Sequence, residues 1–311
     1  MNEPQDISSA GMPAASLSSK VLGSSRGELS HEISSSRPDV RAFKEMLASL
    51  YKEYSTSLQQ ESLAAHASHL FRVCRLYQKG GMLVDLGGGI SAHNGVLAQL
   101  GMKVHVVDML TDYWNHRDWL PGGAASAKIN HEFELLESCG VQFIQAEITT
   151  YDFTKHFTED SLDFVTSFHC VEHLHQSPKI PLESAMRALK PGGTLLIEVP
   201  NAANLRKRLA LLMGRSNYEP YKWFYNNVPW LGHVREYTTG DLRQLAGYLG
   251  AEEYRIYGTN FIQGAAVERA LKYIPRTFYH AFDATLQLFP GLCSCIFLEI
   301  RKTSQPEGKS S

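Results

Sequence analysis

The chain has 311 residues, 43% of them hydrophobic, with 30 basic and 32 acidic side chains and a formal net charge of −2. That is one large domain, or one domain with embellishments, with ample apolar material for a core and no global field drawing it to nucleic acid. Five cysteines, Cys74, Cys139, Cys170, Cys293 and Cys295, show neither a paired framework nor zinc spacing, so reduced thiols in a cytoplasm are expected.

Residues 1–38 are rich in Ser with few large apolar side chains, a composition that cannot offset the entropy of ordering, and they read as a disordered tail. No apolar h-region follows the first methionine and no run of about 18 apolar residues occurs, so neither a signal peptide nor a spanning helix is expected. Within 39–79 the apolar residues Phe43, Met46, Leu47 and Leu50, then Leu63, Leu70, Val73 and Leu76, recur at helical spacing. They predict two helices covering the sheet's first edge and the mouth of a ligand site.

Met82 to Val84 read as a short buried strand that ends in Asp85 and opens into Gly87, Gly88 and Gly89. Three glycines remove every Cβ where the backbone must turn and approach a ligand. Ser91 caps the next helix, Ala92 to Leu100, which stops at Gly101. A second strand, 103–108, ends in Asp108, placed as a ribose-binding acid would be. The third glycine of a dinucleotide turn is missing, and Asp85 would repel a pyrophosphate but attract an ammonium, so a zwitterionic ligand fits better than a dinucleotide. Further strands are predicted at 141–145, 162–168, 194–199, 252–258 and 293–301. Their alternation with helices implies a mainly parallel sheet covered on both faces.

This ordered set resembles the class I S-adenosylmethionine-dependent methyltransferases, in the branch acting on small molecules and polysaccharides. Asp85-Leu86-Gly87-Gly88-Gly89 matches the first motif, Asp108 the ribose acid, and Met109 the apolar residue that packs on adenine. Glu147, followed by Ile148, matches the acid near the adenine amino group. Glu172-His173-Leu174 and Leu189-Lys190-Pro191-Gly192-Gly193 match the blocks after the fourth strand and before the fifth, and His233 to Leu249 resembles the late helix. The likeness covers roughly 80–260. It implies a seven-stranded Rossmann-like α/β sheet with an antiparallel edge strand, S-adenosylmethionine as cofactor, and cofactor contacts from Asp85, Gly87, Gly88, Gly89, Asp108, Met109, Glu147, Ile148 and His169.

Two long connections, 201–232 and 261–290, are expected to form the acceptor side. The first carries Arg206, Lys207, Arg208 and Arg215, then Tyr218, Tyr221, Trp223, Phe224, Tyr225 and Trp230, which read either as a lid over a sugar or ring, or as core with a solvated charged face. The second has an apolar helical pattern, Ala270, Tyr273, Ile274, Phe278, Phe282, Leu286 and Phe289, suited to a pocket wall, a dimer surface or peripheral membrane contact.

Methyl transfer needs a base only where the acceptor must lose a proton. His169, His173 and His233 are the candidates, with His169 or His233 preferred for a hydroxyl acceptor. His169-Cys-Val-Glu172-His173 also fits an inverted zinc-protease pattern, which requires a continuous helix where a buried strand is predicted. No metal is expected, a divalent ion on Glu172, His173 and a neighbour being the lesser alternative. The acceptor expected from the resemblance is a sugar, glycolipid or small phenol. The rivals are a non-catalytic S-adenosylmethionine-binding protein or partner subunit and, further off, a nicotinamide-dependent oxidoreductase.

Overall fold

The computed structural model describes residues 40–53, 72–109, 124–226, 228, 230, 232–260 and 276–303. The expected tail at 1–38, the apolar positions Leu63 and Leu70, and Ala270, Tyr273 and Ile274 lie outside these residues.

Seven strands form one sheet: β1 (Met82–Leu86), β2 (Lys103–Asp108), β3 (Gln142–Gln145), β4 (Leu162–Phe168), β5 (Leu189–Pro200), β6 (Glu253–Thr259) and β7 (Cys295–Arg301). Their order is β3-β2-β1-β4-β5-β7-β6. The pairs β1–β2, β1–β4, β2–β3 and β4–β5 are parallel, whereas β7 runs antiparallel to both β5 and β6. The mixed edge is therefore the pair β7 and β6, with β6 outermost. β5 begins earlier than expected, because Leu189 pairs with Leu162 before the register shifts at Phe164. The Lys190-Pro191-Gly192-Gly193 turn is absorbed into that irregularity, with Gly192 at φ +82°.

Alternate residues of a strand point to opposite faces, and the sequence supplies apolar side chains to both. Leu83, Val104, Val106, Leu196 and Phe297 enter one core; Val84, Val107, Leu195, Ile197, Ile296 and Leu298 enter the other. The first face is covered by α1 (Val40–Glu53), the helical stretch 72–76, α2 (Ala92–Gln99) and α3 (Ala124–Ser138) through Leu50, Leu76, Val96 and Leu136. The second is covered by α4 (Lys179–Ala188), and by a later helix through Leu242 and Ala246. Each fully buried Leu or Val stabilises the fold by about 1.5–3 kcal/mol relative to exposure. The helical stretch 72–76 crosses the face rather than an edge, since Arg72 reaches Glu198 on β5 and Arg75 reaches Glu299 on β7.

After β5 come α5 (Leu205–Leu212), α6 (Tyr221–Asn226) and α7 (Thr239–Tyr248), the later helix on the second face, and α8 (Arg276–Gln287) follows β6. The late helix, expected from His233, starts at Thr239. Thr238 and Asp241 form a reciprocal capping box, which ends the helix there and leaves His233 in a loop. Among the described residues no helix is long and apolar enough to cross a membrane.

Candidate cofactor and acceptor site

Strand order reverses between β1 and β4, and ligands of open parallel sheets bind where that reversal opens a crevice at the strands' carboxyl ends. The glycine turn leaves β1 at this point. Gly87 has φ +71° and Gly89 φ +48°. A Cβ on Gly87 would lie 2.2 Å from Cys170 Sγ, and one on Gly88 2.4 Å from Asp85 Oδ2. The turn is tied to its neighbours through the main chain. Gly87 N–H donates to the Val107 carbonyl at 2.7 Å, Gly89 N–H to Asp108 Oδ2 at 3.0 Å, and Ala146 N–H to the Asp108 carbonyl at 3.0 Å. Gly87, Gly88, Gly89, Asp108 and Met109 thus share one rim. Ile148 packs beneath it, its Cδ1 3.4 Å from where a Gly87 Cβ would sit.

Two side chains, those of Asp85 and Ser91, take roles different from those read in the sequence, and a third, Glu147, is held by its own turn. Asp85 was expected to face the ligand's ammonium. It is fully buried, accepting from Thr166 Oγ1 at 2.6 Å and Asn94 Nδ2 at 2.7 Å, with His93 Nε2 at 3.4 Å. Burial favours its neutral form, but His93, Thr166 and Asn94 outweigh burial and lower its pKa. It braces the turn from below. Ser91 is the N-cap of α2, yet its hydroxyl donates to the Gly88 carbonyl at 2.8 Å instead of accepting from the helix. Glu147 caps the short turn Ile148–Thr150, Oε1 accepting from Thr149 N–H at 3.0 Å and Thr149 Oγ1 at 2.8 Å, which fixes the carboxylate at the outer rim.

At the end of β4, His169 adopts φ +50°, a left-handed conformation uncommon outside glycine. Its ring sits between two fully buried carboxylates, Nδ1 at 3.3 Å from Glu172 Oε1 and Nε2 at 3.3 Å from Glu198 Oε1. Burial opposes a charge on this ring, but Glu198, Cys295 and Glu172 outweigh it and lift its pKa well above the ordinary histidine value. Each ring nitrogen thus faces a carboxylate oxygen. Glu198 in turn meets Arg72, whose guanidinium lies 4.2 Å from the Phe168 ring centroid. Burial would raise the Glu198 pKa, yet Arg72 and His169 hold it down at about 2. Sequence reasoning missed this chain of charges. Its signal was Glu198 itself, a carboxylate inside the apolar run Thr194 to Val199, since a buried charge requires a partner.

The other two histidines converge. His173 follows Glu172 in a short 3-10 turn, which also disposes of the zinc-protease pattern because no continuous helix links it to β4. The ring centroids of His173 and His233 are 4.9 Å apart, edge to face. The His233 loop is held there because Val234 N–H and Arg235 N–H both donate to the Glu172 carbonyl, at 2.7 and 3.1 Å. His233 Nδ1 faces Glu236 Oε1 at 2.9 Å. Burial lowers the His233 pKa, but Glu236 and Glu172 outweigh it and raise it. Next to this group the connection after β5 presents Leu212, Tyr218, Tyr221, Phe224 and Tyr225 to solvent, Leu212 and Tyr218 each at 83% exposure. Those aromatics are not core.

The Methyltransferase domain family model matches residues 59–252. No curated protein matches the chain in sequence. Among solved structures, it is similar to phosphoethanolamine N-methyltransferase 2 of Haemonchus contortus, in complex with phosphomonomethylethanolamine and S-adenosylhomocysteine (18% identity, TM-score 0.44, 76% of this chain and 52% of that one). A second structure of that protein, with S-adenosyl-L-methionine, gives 16% identity and a TM-score of 0.47 over 88% and 62% of the two chains. A possible histamine N-methyltransferase of Thermotoga maritima gives 15% identity and 0.45 over 91% and 99%. The chain spans 52% and 62% of the two nematode structures. A glycine cradle that tolerates no Cβ, beside an acid at the end of β2, fits the nucleoside and amino-acid parts of S-adenosylmethionine, the cofactor of this family. With the family model covering more than half of its length, the chain belongs to the Methyltransferase domain family.

Proposed function

We propose that the protein methylates a hydroxyl oxygen of a sugar, glycolipid or small phenolic acceptor. The observation that carries this reading is the convergence, at the carboxyl ends of β1 to β4, of the glycine cradle with Asp108 and of Glu172 with two imidazoles. Bound S-adenosylmethionine supplies an electrophilic methyl on a cationic sulfur. The chain's own work is positioning and exclusion of water. Asp108 accepts from the ribose hydroxyls, Met109 and Ile148 pack on the adenine, and Glu147 meets its amino group. A hydroxyl, unlike a free amine, must give up a proton to become a good nucleophile. The His173 and His233 rings, with Glu236 behind His233, supply the groups for that task. The exposed aromatics of the connection after β5 suit a ring-shaped acceptor.

Isothermal titration with S-adenosylmethionine and S-adenosylhomocysteine tests the donor side. Wild type should bind both, and Asp108→Ala should weaken binding by about 1 kcal/mol or more, roughly fivefold, as expected for lost hydrogen bonds. Absence of binding by wild type would overturn it. The acceptor side is tested by transfer of a labelled methyl to sugar and phenolic acceptors; a product methylated only on nitrogen would overturn the hydroxyl assignment.

A further inference from the structure

We propose that Glu172, His173 and His233 form a binding site for a divalent first-row metal ion. Each offers a ligand atom, and the three atoms lie within 4.8 Å of one another. A ligand shell with bonds of about 2.0–2.2 Å spans up to about 4.4 Å between opposite donors, so small side-chain rotations close the set on an ion.

Three independent features point inward. The Glu172 side chain is fully buried, and neither of its carboxylate oxygens accepts a hydrogen bond. Buried carboxylates are costly unless a charge or donors compensate them, and the neighbouring His169 ring, 3.3 Å away, is shared with Glu198. Second, Glu236 accepts from His233 Nδ1, which fixes the tautomer with the lone pair on Nε2. A carboxylate behind a histidine in this way is the arrangement that orients metal-ligating imidazoles, and Glu236 is itself held by Lys207. Third, the main-chain bonds from Val234 and Arg235 to the Glu172 carbonyl set the distance between ligands far apart in sequence. The other such grouping among the described residues, His169 with Glu198 and Cys295, already has Arg72 on its carboxylate.

Two imidazoles and one carboxylate suit Zn²⁺, Co²⁺, Fe²⁺ or Mn²⁺ over Mg²⁺ or Ca²⁺, which favour oxygen donors. The existence of the site is independent of the methyl acceptor. Its role rests on the hydroxyl reading above: an ion there lowers the pKa of a coordinated hydroxyl, so neither imidazole has to act as base.

The full chain, stripped with chelator and dialysed, should be titrated with Co²⁺ by visible absorption and with Zn²⁺ by calorimetry. We expect one ion per chain, and at least tenfold weaker binding in Glu172→Gln and in His233→Ala. Glu236→Gln should weaken binding about tenfold through its effect on His233 alone. His233 lies in a loop, so its variant keeps the test decisive where Glu172→Gln fails to fold. No binding of either ion, or equal binding in wild type and His233→Ala, would overturn the site. S-adenosylmethionine titration of the same samples separates the readings: metal binding without donor binding removes the methyltransferase role and leaves the ion site standing.

Discussion

The glycine turn and the connection after β5 are built on opposite terms. Around the turn most polar groups are committed: Gly87 and Gly89 N–H, Asp108 Oδ2 and both Asp85 oxygens have partners inside the protein. In the connection, Leu209, Leu211, Leu212, Met213, Tyr218, Tyr221 and Tyr225 are exposed on two short helices and their linker. A cofactor common to a whole family rewards a rigid cradle, whereas an acceptor surface can change side chains without disturbing the fold. The two sides should therefore answer mutation very differently.

The largest effect is expected at the support they share. Glu198 on β5 carries both the Arg72 guanidinium and the His169 ring. Removing its charge leaves a buried arginine uncompensated, and Glu198→Gln should lower unfolding free energy by about 3–5 kcal/mol in urea titrations at neutral pH. The pH dependence has a definite sign. A carboxylate held at about 2 in the folded state, below its ordinary value of 4.5, stabilises fully above 4.5 and loses that contribution as pH falls through about 2. The gap between wild type and Glu198→Gln should therefore narrow over that acid range. A gap that is small at pH 7, or constant with pH, would mean that the buried ion pair contributes nothing and the two sides do not share this support.

Next in size is the turn itself. Gly87→Ala needs a left-handed alanine with its Cβ on Cys170 Sγ, so we expect a loss of about 2–4 kcal/mol and at least tenfold weaker S-adenosylmethionine binding. Gly101→Ala is the control. Its φ is +88°, but nothing lies within 4 Å of the added Cβ, so only the conformational cost of about 1 kcal/mol remains. Equal losses in the two variants would show that the turn is constrained by backbone angle alone and not by the close approach of β4.

That contrast also explains what could be read from residues alone. Gly87-Gly88-Gly89 and Asp108 were legible because a backbone constraint admits few residue types, and the apolar runs of β1, β2, β4 and β7 were legible because a doubly covered sheet buries both faces. Even the late helix carried its start in the sequence, in the Thr238 and Asp241 spacing, although the family resemblance suggested an earlier one. Asp85 was misplaced because a strand-end carboxylate looks the same whether it faces a ligand or, as here, Thr166 and Asn94 on neighbouring elements. His173 and His233 were expected around one opening, but what holds His233 against Glu172 was illegible for a related reason: main-chain bonds at Val234 and Arg235 bring it about, and those involve no particular side chain.

The smallest effect is expected where the aromatics are densest. Leu212 and Tyr218 are each 83% exposed, so replacing both with serine removes almost no buried area. Unfolding free energy should stay within about 0.5 kcal/mol of wild type, the range for surface substitutions, and S-adenosylmethionine affinity should not change. Density of Tyr, Trp and Leu would otherwise suggest a core, where two such truncations would cost about 2–5 kcal/mol apiece. A loss of more than about 1 kcal/mol in the double variant would place these side chains in a packed interior and remove the reason for assigning the connection to the acceptor. A neutral outcome, beside the losses expected at Glu198 and Gly87, would mean that this apolar surface is kept for what it touches outside the fold.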